Sequence, residues 1–431
     1  MARWSPLSRE PIGLSGGDKK PNLEDLLASQ EASPVPPTAT MLILSFVPIF
    51  LGLGFLYIVL GAWLVTVGFT AVQAGLLISA QGIAVVLTSI PLGIISDIYG
   101  RKKLLILGNL AGAAALLVFA LTTNFSYLIS ASVVLGFAEG ASVTTWNALL
   151  ADLTDNSNRN RVFSRSFIMI NVTTGIGLVL PGAFPALQSL TGLTNYTLHR
   201  ETLLILGLAS FISPLMFYIL LRSHRETHNP ERRWSGLTNK GTLAKLGFVA
   251  GTIGFGAGFI IPLVGAWFYY RFNVSDSYSG PILAFSNILI GFSAYASPRL
   301  ATKFGQMRAI ILVTGSSMLF MLSMAFIPIF ALAAGSYIVR AALMNMAGPL
   351  IDSFSMSIFP AEQRGLVSAL SNITFRLPNS LSTYFGGFIL GLGLLQLPFF
   401  IASTFYIIGL TAFYIFFVAT KRYAAQIASL S

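Results

Sequence analysis

Four ionisable residues stand inside stretches that are otherwise apolar: Glu139, Arg340, Asp352 and Arg376. A charge at the centre of a bilayer costs about 2.5–3.5 kcal/mol on insertion scales, so such residues persist where they are paired or used. A carboxylate there can take up and release a proton. An arginine there can hold an anion or neutralise the carboxylate, and its proximity decides whether Glu139 can protonate at all. Glu139 is therefore the candidate proton-coupling group. Arg340, Arg376, Tyr57, Asn147 and Asn345 are the candidate solute ligands, with Gln81, Asn171 and Asn287 as further polar residues in apolar surroundings. Trp63, Trp267, Tyr269 and Tyr270 read as an interfacial aromatic belt.

Other chemistries are poorly served. There are 0 cysteines, which removes disulfides, thiolate nucleophiles and cysteine metal sites. His224 and His228 stand four apart without a third ligand, so no metal site is expected. No His–Asp or paired-carboxylate constellation is visible, and no phosphate-binding glycine loop. Neither an enzyme, nor a resident cofactor, nor an ATP-driven pump is expected.

The elements that must hold these residues are membrane helices. Charged residues are 10% of the chain, against about 25% in ordinary soluble domains. From Met41 to Ser96 no charge occurs, which suits two spans of about 20 residues each. The runs are continuously apolar rather than alternating, which argues against a barrel. Apolar runs place spans at about 41–64, 72–96, 104–123, 126–151, 162–187, 201–221, 242–269, 279–298, 309–329, 331–357, 365–390 and 396–419. Residues 1–40 read as a disordered tail rich in proline. No apolar core follows a basic start there, so the first helix is expected to serve as an uncleaved insertion signal. Residues 222–240 read as a linker between halves 41–221 and 241–420, and 421–431 as a second tail.

Orientation follows from the basic residues. With the N-terminus cytoplasmic, 22 of the 26 lysines and arginines fall on the inner side. Arg200 and Arg271 fall outside, and Arg340 and Arg376 lie within spans. Both termini are then cytoplasmic. The net charge of +11 reports topology and contact with anionic lipid, and calls for no nucleic-acid partner. An internal repeat appears at an offset of about 205. Thr70 and Gly75 match Ser275 and Gly280, and Gly100 and Lys103 match Gly305 and Arg308. Paired repeats are a transporter architecture with the solute site between them.

After the second span the chain reads Gly93-Ile-Ile-Ser-Asp97-Ile-Tyr-Gly100-Arg101-Lys102-Lys103. This resembles the G-x-x-x-D-x-x-G-R-K/R-K/R loop of the major facilitator superfamily. The second half keeps Gly305 and Arg308 but has Thr302 where Asp97 would be. Pro360 to Gly365 resembles the loop after the tenth span in many members. The glycine–proline signature of many drug antiporters is not reproduced around Gly177–Gly182. The resemblance covers about residues 41–420. It implies an all-α membrane fold of twelve transmembrane helices in two pseudo-symmetric six-helix bundles. It also implies that spans one, four, seven and ten line a central cavity, with Glu139 and Arg340 facing each other across it. A static pair of Glu139 with Arg340 or with Arg376 is the structural alternative. The loop is expected to act as a conformational latch. Gly93 would allow close packing, Gly100 a tight turn, Asp97 would accept from a neighbouring helix N-terminus, and Arg101 would meet acidic groups with Lys102 beside it.

The function expected is secondary transport of a small solute by alternating access, as proton-coupled efflux. Alternatives are a symporter or uniporter for an anionic metabolite, held by Arg340 and Arg376, and a non-transporting receptor. The protein is expected as a monomer in the lipid bilayer of the plasma (inner) membrane, with a small solute and protons as its partners.

Overall fold

The computed structural model describes residues 35–155, 158–223, 239–293, 296–359 and 363–419. The calls on most of the first tail, on His224 and His228 in the linker, on Pro360 to Glu362 and on the last tail lie outside these residues. Twelve helical elements follow in order. They are α1 Pro37–Thr66, α2 Ala71–Tyr99, α3 Arg101–Leu121, α4 Phe125–Asp152, α5 Arg161–Thr191 and α6 Asn195–Leu221. The second six are α7 Lys240–Phe272, α8 Asp276–Ser293, α9 Gln306–Met324, α10 Phe330–Ile358, α11 Arg364–Gly391 and α12 Leu397–Val418. A short helix, Ser297–Phe304, stands between α8 and α9.

Among the described residues, ten helices are long and apolar enough to cross a membrane, and an eleventh arises if α8 and its short neighbour form one span. α11 has 28 residues, enough to span. It is absent from that group because Arg376, Asn372, Asn379 and Ser380 dilute its apolar content. The first helix begins at Pro37, earlier than the expected 41. Proline's fixed φ suits the first turn, where its missing N–H would have no partner anyway.

Each half has its own apolar core. One runs through Phe46, Phe55, Leu56, Leu116, Trp146, Leu149 and Phe217. The other runs through Ile260, Trp267, Phe268, Phe399, Tyr406 and Phe417. The repeat shows in the backbone too. Gly100 and Gly305, 205 residues apart, both end a helix and start the next with positive φ, +101° and +79°. Side chains rarely adopt that region, so glycine is required at both turns.

The halves meet along three helix pairs, and small residues make the approach possible. α2 packs on α11: Ser79 donates to the Ser380 carbonyl at 2.6 Å, and a Cβ at Gly75 would stand 2.9 Å from the Thr383 carbonyl oxygen. A Cβ at Gly387 would collide with the Ala71 carbonyl. α5 packs on α8, with Gly175 against Ala284 and Gly280 against Leu178. α1 and α7 are both irregular where they touch. α1 loosens into a π-turn at Val59–Trp63, and α7 breaks around Pro262. Gly61 and Gly265 face each other at that point.

These contacts lie toward the ends of the helices remote from the Gly93–Lys103 loop. The stripe of α2 that meets α11 through Gly75, Ser79 and Gly82 continues through Ile90, Gly93 and Asp97. There Ile90 is 41% exposed, and a Cβ at Gly93 would reach only Thr144 of its own half. The bundles are therefore closed at one face and parted toward the loop-bearing face.

Closure depends on backbone proximity that a single methyl group disturbs. Gly387→Ala places a carbon against the Ala71 carbonyl, at a cost of about 1–3 kcal/mol for overpacking. In a chain carrying Ala74→Cys, a position buried between the halves, Gly387→Ala is expected to raise the maleimide labelling rate about tenfold. An unchanged rate would mean that closure does not rest on this contact.

Candidate functional site

Glu139 sits on α4 between Gly136 and Gly140, and both glycines let α4 lie directly on α2. A Cβ at Gly136 would collide with the Gln81 carbonyl, and one at Gly140 would stand 2.5 Å from the Thr88 hydroxyl. Arg376 is positioned the same way from the other half. Gly251, Gly254 and Gly258 of α7 sit against the backbone carbonyls of Thr374, Phe375 and Asn379 on α11. The glycine series before Pro262 thus seats the helix that carries the arginine.

The two side chains meet between the bundles. Arg376 Nη1 donates to Glu139 Oε1 at 2.7 Å. Gln81 Nε2 stands 3.4 Å from the other carboxylate oxygen, Oε2. The pair is open to water, with side chains 24% (Glu139) and 43% (Arg376) exposed. It lies where two cavities adjoin, because Tyr57, Gln81, Glu139 and Arg376 line both. The larger, about 470 Å3, lies between the halves and adds Asn287, Tyr337, Asn379, Ser380 and Thr383. The smaller, about 290 Å3, runs into the first half among Phe46, Phe50, Trp146 and Asn147.

Of the residues expected to touch solute, Tyr57, Asn147 and Arg376 line these cavities. Arg340 does not, and it does not face Glu139. It is 5% exposed inside the second half, where Nη2 donates to the Tyr406 hydroxyl at 2.8 Å. Its depth along the bundle suits Glu139, but its direction around α10 turns it toward α12. Tyr337, one turn earlier on α10, occupies the cavity wall instead. Asn345 lines neither cavity and donates to its own helix at Ala341. Asp352 is exposed.

The loop after α2 is tied within its own half. Arg101 donates to Asp152 at the end of α4 at 2.7 Å and reaches Asp97 at 3.5 Å. Lys102 Nζ donates to the Leu221 carbonyl at 2.7 Å, a cation at the carbonyl end of α6. Arg101 is the described partner of Asp97, not a helix N-terminus, since the other half stands away at this face. Gly100 makes the turn as expected.

A second ionic contact between the halves had no counterpart in the sequence reading. His199 of α6 and Asp276 of α8 meet at 2.6 Å with side chains 0% and 1% exposed. They are 77 positions apart. The sequence carried no signal for it, because His199 stands before the expected span 201–221, in a polar stretch with Arg200 and Glu201 beside it.

The Major Facilitator Superfamily model matches residues 42–383, and the chain belongs to that family of transporters. It is 25% identical over 322 residues to the class C tetracycline resistance protein of Escherichia coli, covering 70% of this chain and 76% of that protein. It is 25% identical over 184 residues to the quinolone resistance protein NorA of Staphylococcus aureus, a match spanning only 43% of either chain. The fold is similar to the nucleoside transporter NupG, with a TM-score of 0.71 at 17% identity over 87% of this chain and 98% of that one. It is also similar to a bacterial homologue of the lysosomal transporter Spinster, with a TM-score of 0.69 at 16% identity over 88% and 96%.

If the central pair ties the halves together, its members are energetically coupled. Singly and doubly substituted Glu139→Gln and Arg376→Gln proteins form a double-mutant cycle. Thermal or denaturant stability is expected to give a coupling of about 1 kcal/mol, kept small because water screens the arginine. Strict additivity would place the two residues in independent roles.

Proposed function

We propose that the chain is a secondary active transporter that exports a small solute in exchange for protons, by alternating access. The observation that carries this reading is the Glu139–Arg376 pair, which spans the halves at the junction of both cavities. An ionised Glu139 holds Arg376 and favours the bundle arrangement seen here. A protonated Glu139 loses that attraction, so proton occupancy and bundle position are linked. The smaller cavity offers Phe46, Phe50, Trp146 and other apolar walls beside one carboxylate. That lining fits an amphipathic, neutral or cationic solute, with Tyr57 and Asn147 as polar contacts. The relatives named for tetracycline and quinolone resistance support the same class of solute.

The open face is assigned to the cytoplasm because Arg101, Lys102, Lys103, Arg299 and Arg308 gather there. This gives a multi-pass protein of the plasma (inner) membrane, acting as a monomer. Gly93, Asp97, Gly100, Arg101 and Lys102 form a latch that acts on exchange and not on solute affinity. A second reading draws on the exposure of Arg376, whose guanidinium could instead receive an anion from the larger cavity. Arg340 has no part in either reading.

Flux in proteoliposomes tests the coupling. One pH unit supplies about 1.4 kcal/mol per proton. Glu139→Gln keeps the shape and removes the titration. It is expected to abolish accumulation driven by a pH gradient while downhill exchange of a fluorescent cationic amphiphile continues. Concentrative transport at the unsubstituted rate would make Glu139 structural. Loss of binding of an acidic probe in Arg376→Gln, with cation flux intact, would favour the anion reading.

Asp97→Asn is expected to slow flux several-fold while solute affinity, read by tryptophan fluorescence, stays within about 1 kcal/mol. Weakened affinity with normal flux would remove the loop from the latch role. A cysteine at Thr302 should react with an impermeant reagent only from the cytoplasmic side, and one at Ser189 only from outside. Labelling of both from one side would overturn the orientation.

A further inference from the structure

We infer that the second half holds a small monovalent anion, a halide such as chloride, on the buried guanidinium of Arg340 between α9, α10 and α12. The site stands apart from the transport reading and from both cavities, neither of which Arg340 lines. Arg340 is 5% exposed, and its Nε is buried without a described partner. A guanidinium keeps its charge in proteins, and a charge in apolar surroundings is stable only with a counter-charge beside it.

No described carboxylate supplies one. Among the described residues, the second half has two acids, Asp276 and Asp352. Asp276 is bonded to His199. Asp352 is exposed and stands twelve residues further along α10, about 18 Å away at the rise of a helix. Across the boundary, Glu139 holds Arg376. The described bond of the Arg340 side chain goes to a neutral group, the Tyr406 hydroxyl at 2.8 Å.

The groups around it are hydrogen-bond donors. Tyr406, 0% exposed, accepts from Arg340, so its own hydrogen is left to donate. Ser317 of α9 donates to the Arg340 carbonyl at 3.1 Å, which holds α9 against α10 at this level. Thr314 stands one turn from Ser317, and Ser403 one turn from Tyr406. The hydroxyls of both are buried without a described partner. Residues three apart on a helix share a face. Three helices thus bring one cation and the hydroxyls of Thr314, Ser403 and Tyr406 to the same region of a core that includes Met321 and Ala402.

That donor set selects the ion. Water could satisfy the hydroxyls but would leave the charge bare. A halide accepts from N–H and O–H groups on every side and brings no hydrogen that needs an acceptor. A dianion such as sulfate would replace one uncompensated charge by another. The ion ties the face of α10 that carries Arg340 to α9 and α12, and so fixes the rotation of α10. Tyr337, one turn earlier, is thereby held on the cavity wall.

Purified protein in nanodiscs tests the site, with chloride exchanged for gluconate at fixed ionic strength. Radioactive chloride is expected to bind in a single saturable class, and the melting temperature to rise by several degrees as that class fills. Bromide is expected to compete, and sulfate is not. Arg340→Gln removes the charge and keeps hydrogen-bonding capacity, and its chloride affinity is expected to fall by roughly tenfold or more. Thr314→Val and Ser403→Ala keep the guanidinium, and each is expected to weaken chloride several-fold. They carry the test should Arg340→Gln fold poorly. In Arg376→Gln chloride binding is expected to persist. Binding lost in Arg376→Gln but kept in Arg340→Gln would put the ion in the larger cavity and overturn the site. Unchanged affinity in Arg340→Gln, or in both hydroxyl variants, overturns it too. So does a native chain that binds no chloride and melts at one temperature in either salt, as it would if water alone met these donors.

Discussion

A carboxylate and a guanidinium from opposite bundles can stay 2.7 Å apart between membrane helices only if both helices are brought there by something other than the charges. Ion pairing repays desolvation incompletely, and here the arginine is open to water, so the pair alone cannot assemble the site. Glycine does it. Gly136 and Gly140 lay α4 on α2, Gly251, Gly254 and Gly258 lay α7 on α11, and Gly75, Gly82 and Gly387 lay α2 on α11. α2 and α11 thus form a spine along the boundary, with α4 and α7 clamped to either side. Glu139 and Arg376 stand where that chain of close approaches crosses from one bundle to the other.

The same requirement explains the composition of α11. A helix facing lipid needs apolar side chains, and a helix facing a watery cavity and a close neighbour does not. Arg376, Asn379, Ser380 and Thr383 line the larger cavity, and Ser380 also accepts from Ser79 through its carbonyl. α11 is thereby too polar to stand among the apolar spans, although it is among the longest helices. The expectation that spans one, four, seven and ten line the cavity left this wall out, and it is the structure that shows α11 contributing Arg376, Asn379, Ser380 and Thr383.

Other features were legible for equally physical reasons. Lipid forces long apolar helices, so span positions follow from charge gaps, and the starts that moved most are Pro37 against an expected 41 and Asn195 against an expected 201. The match of Gly100 with Gly305 was legible because positive φ needs glycine. The pairing of charges was not. A repeat offset gives depth along the bundle, and by depth Arg340 suited Glu139. It does not give direction around a helix, and that rotation put Arg340 against Tyr406 and gave its place on the wall to Tyr337. His199 and Asp276 were invisible for a related reason. Each is ordinary near a helix start, and only the meeting of these two side chains across the bundles makes them a pair.

The two ionic contacts between the halves differ in the property that governs their use. Around Glu139 and Arg376, water in the cavities screens the attraction and can deliver a proton or yield to a solute, so this contact is suited to being exchanged. Around His199 and Asp276 aromatic rings exclude water, so removing either partner while the face is closed would strand a buried polar group. That contact is suited to being kept until the whole face parts. The boundary between the halves thus carries a wet, screened tie in the middle and a dry tie at one end.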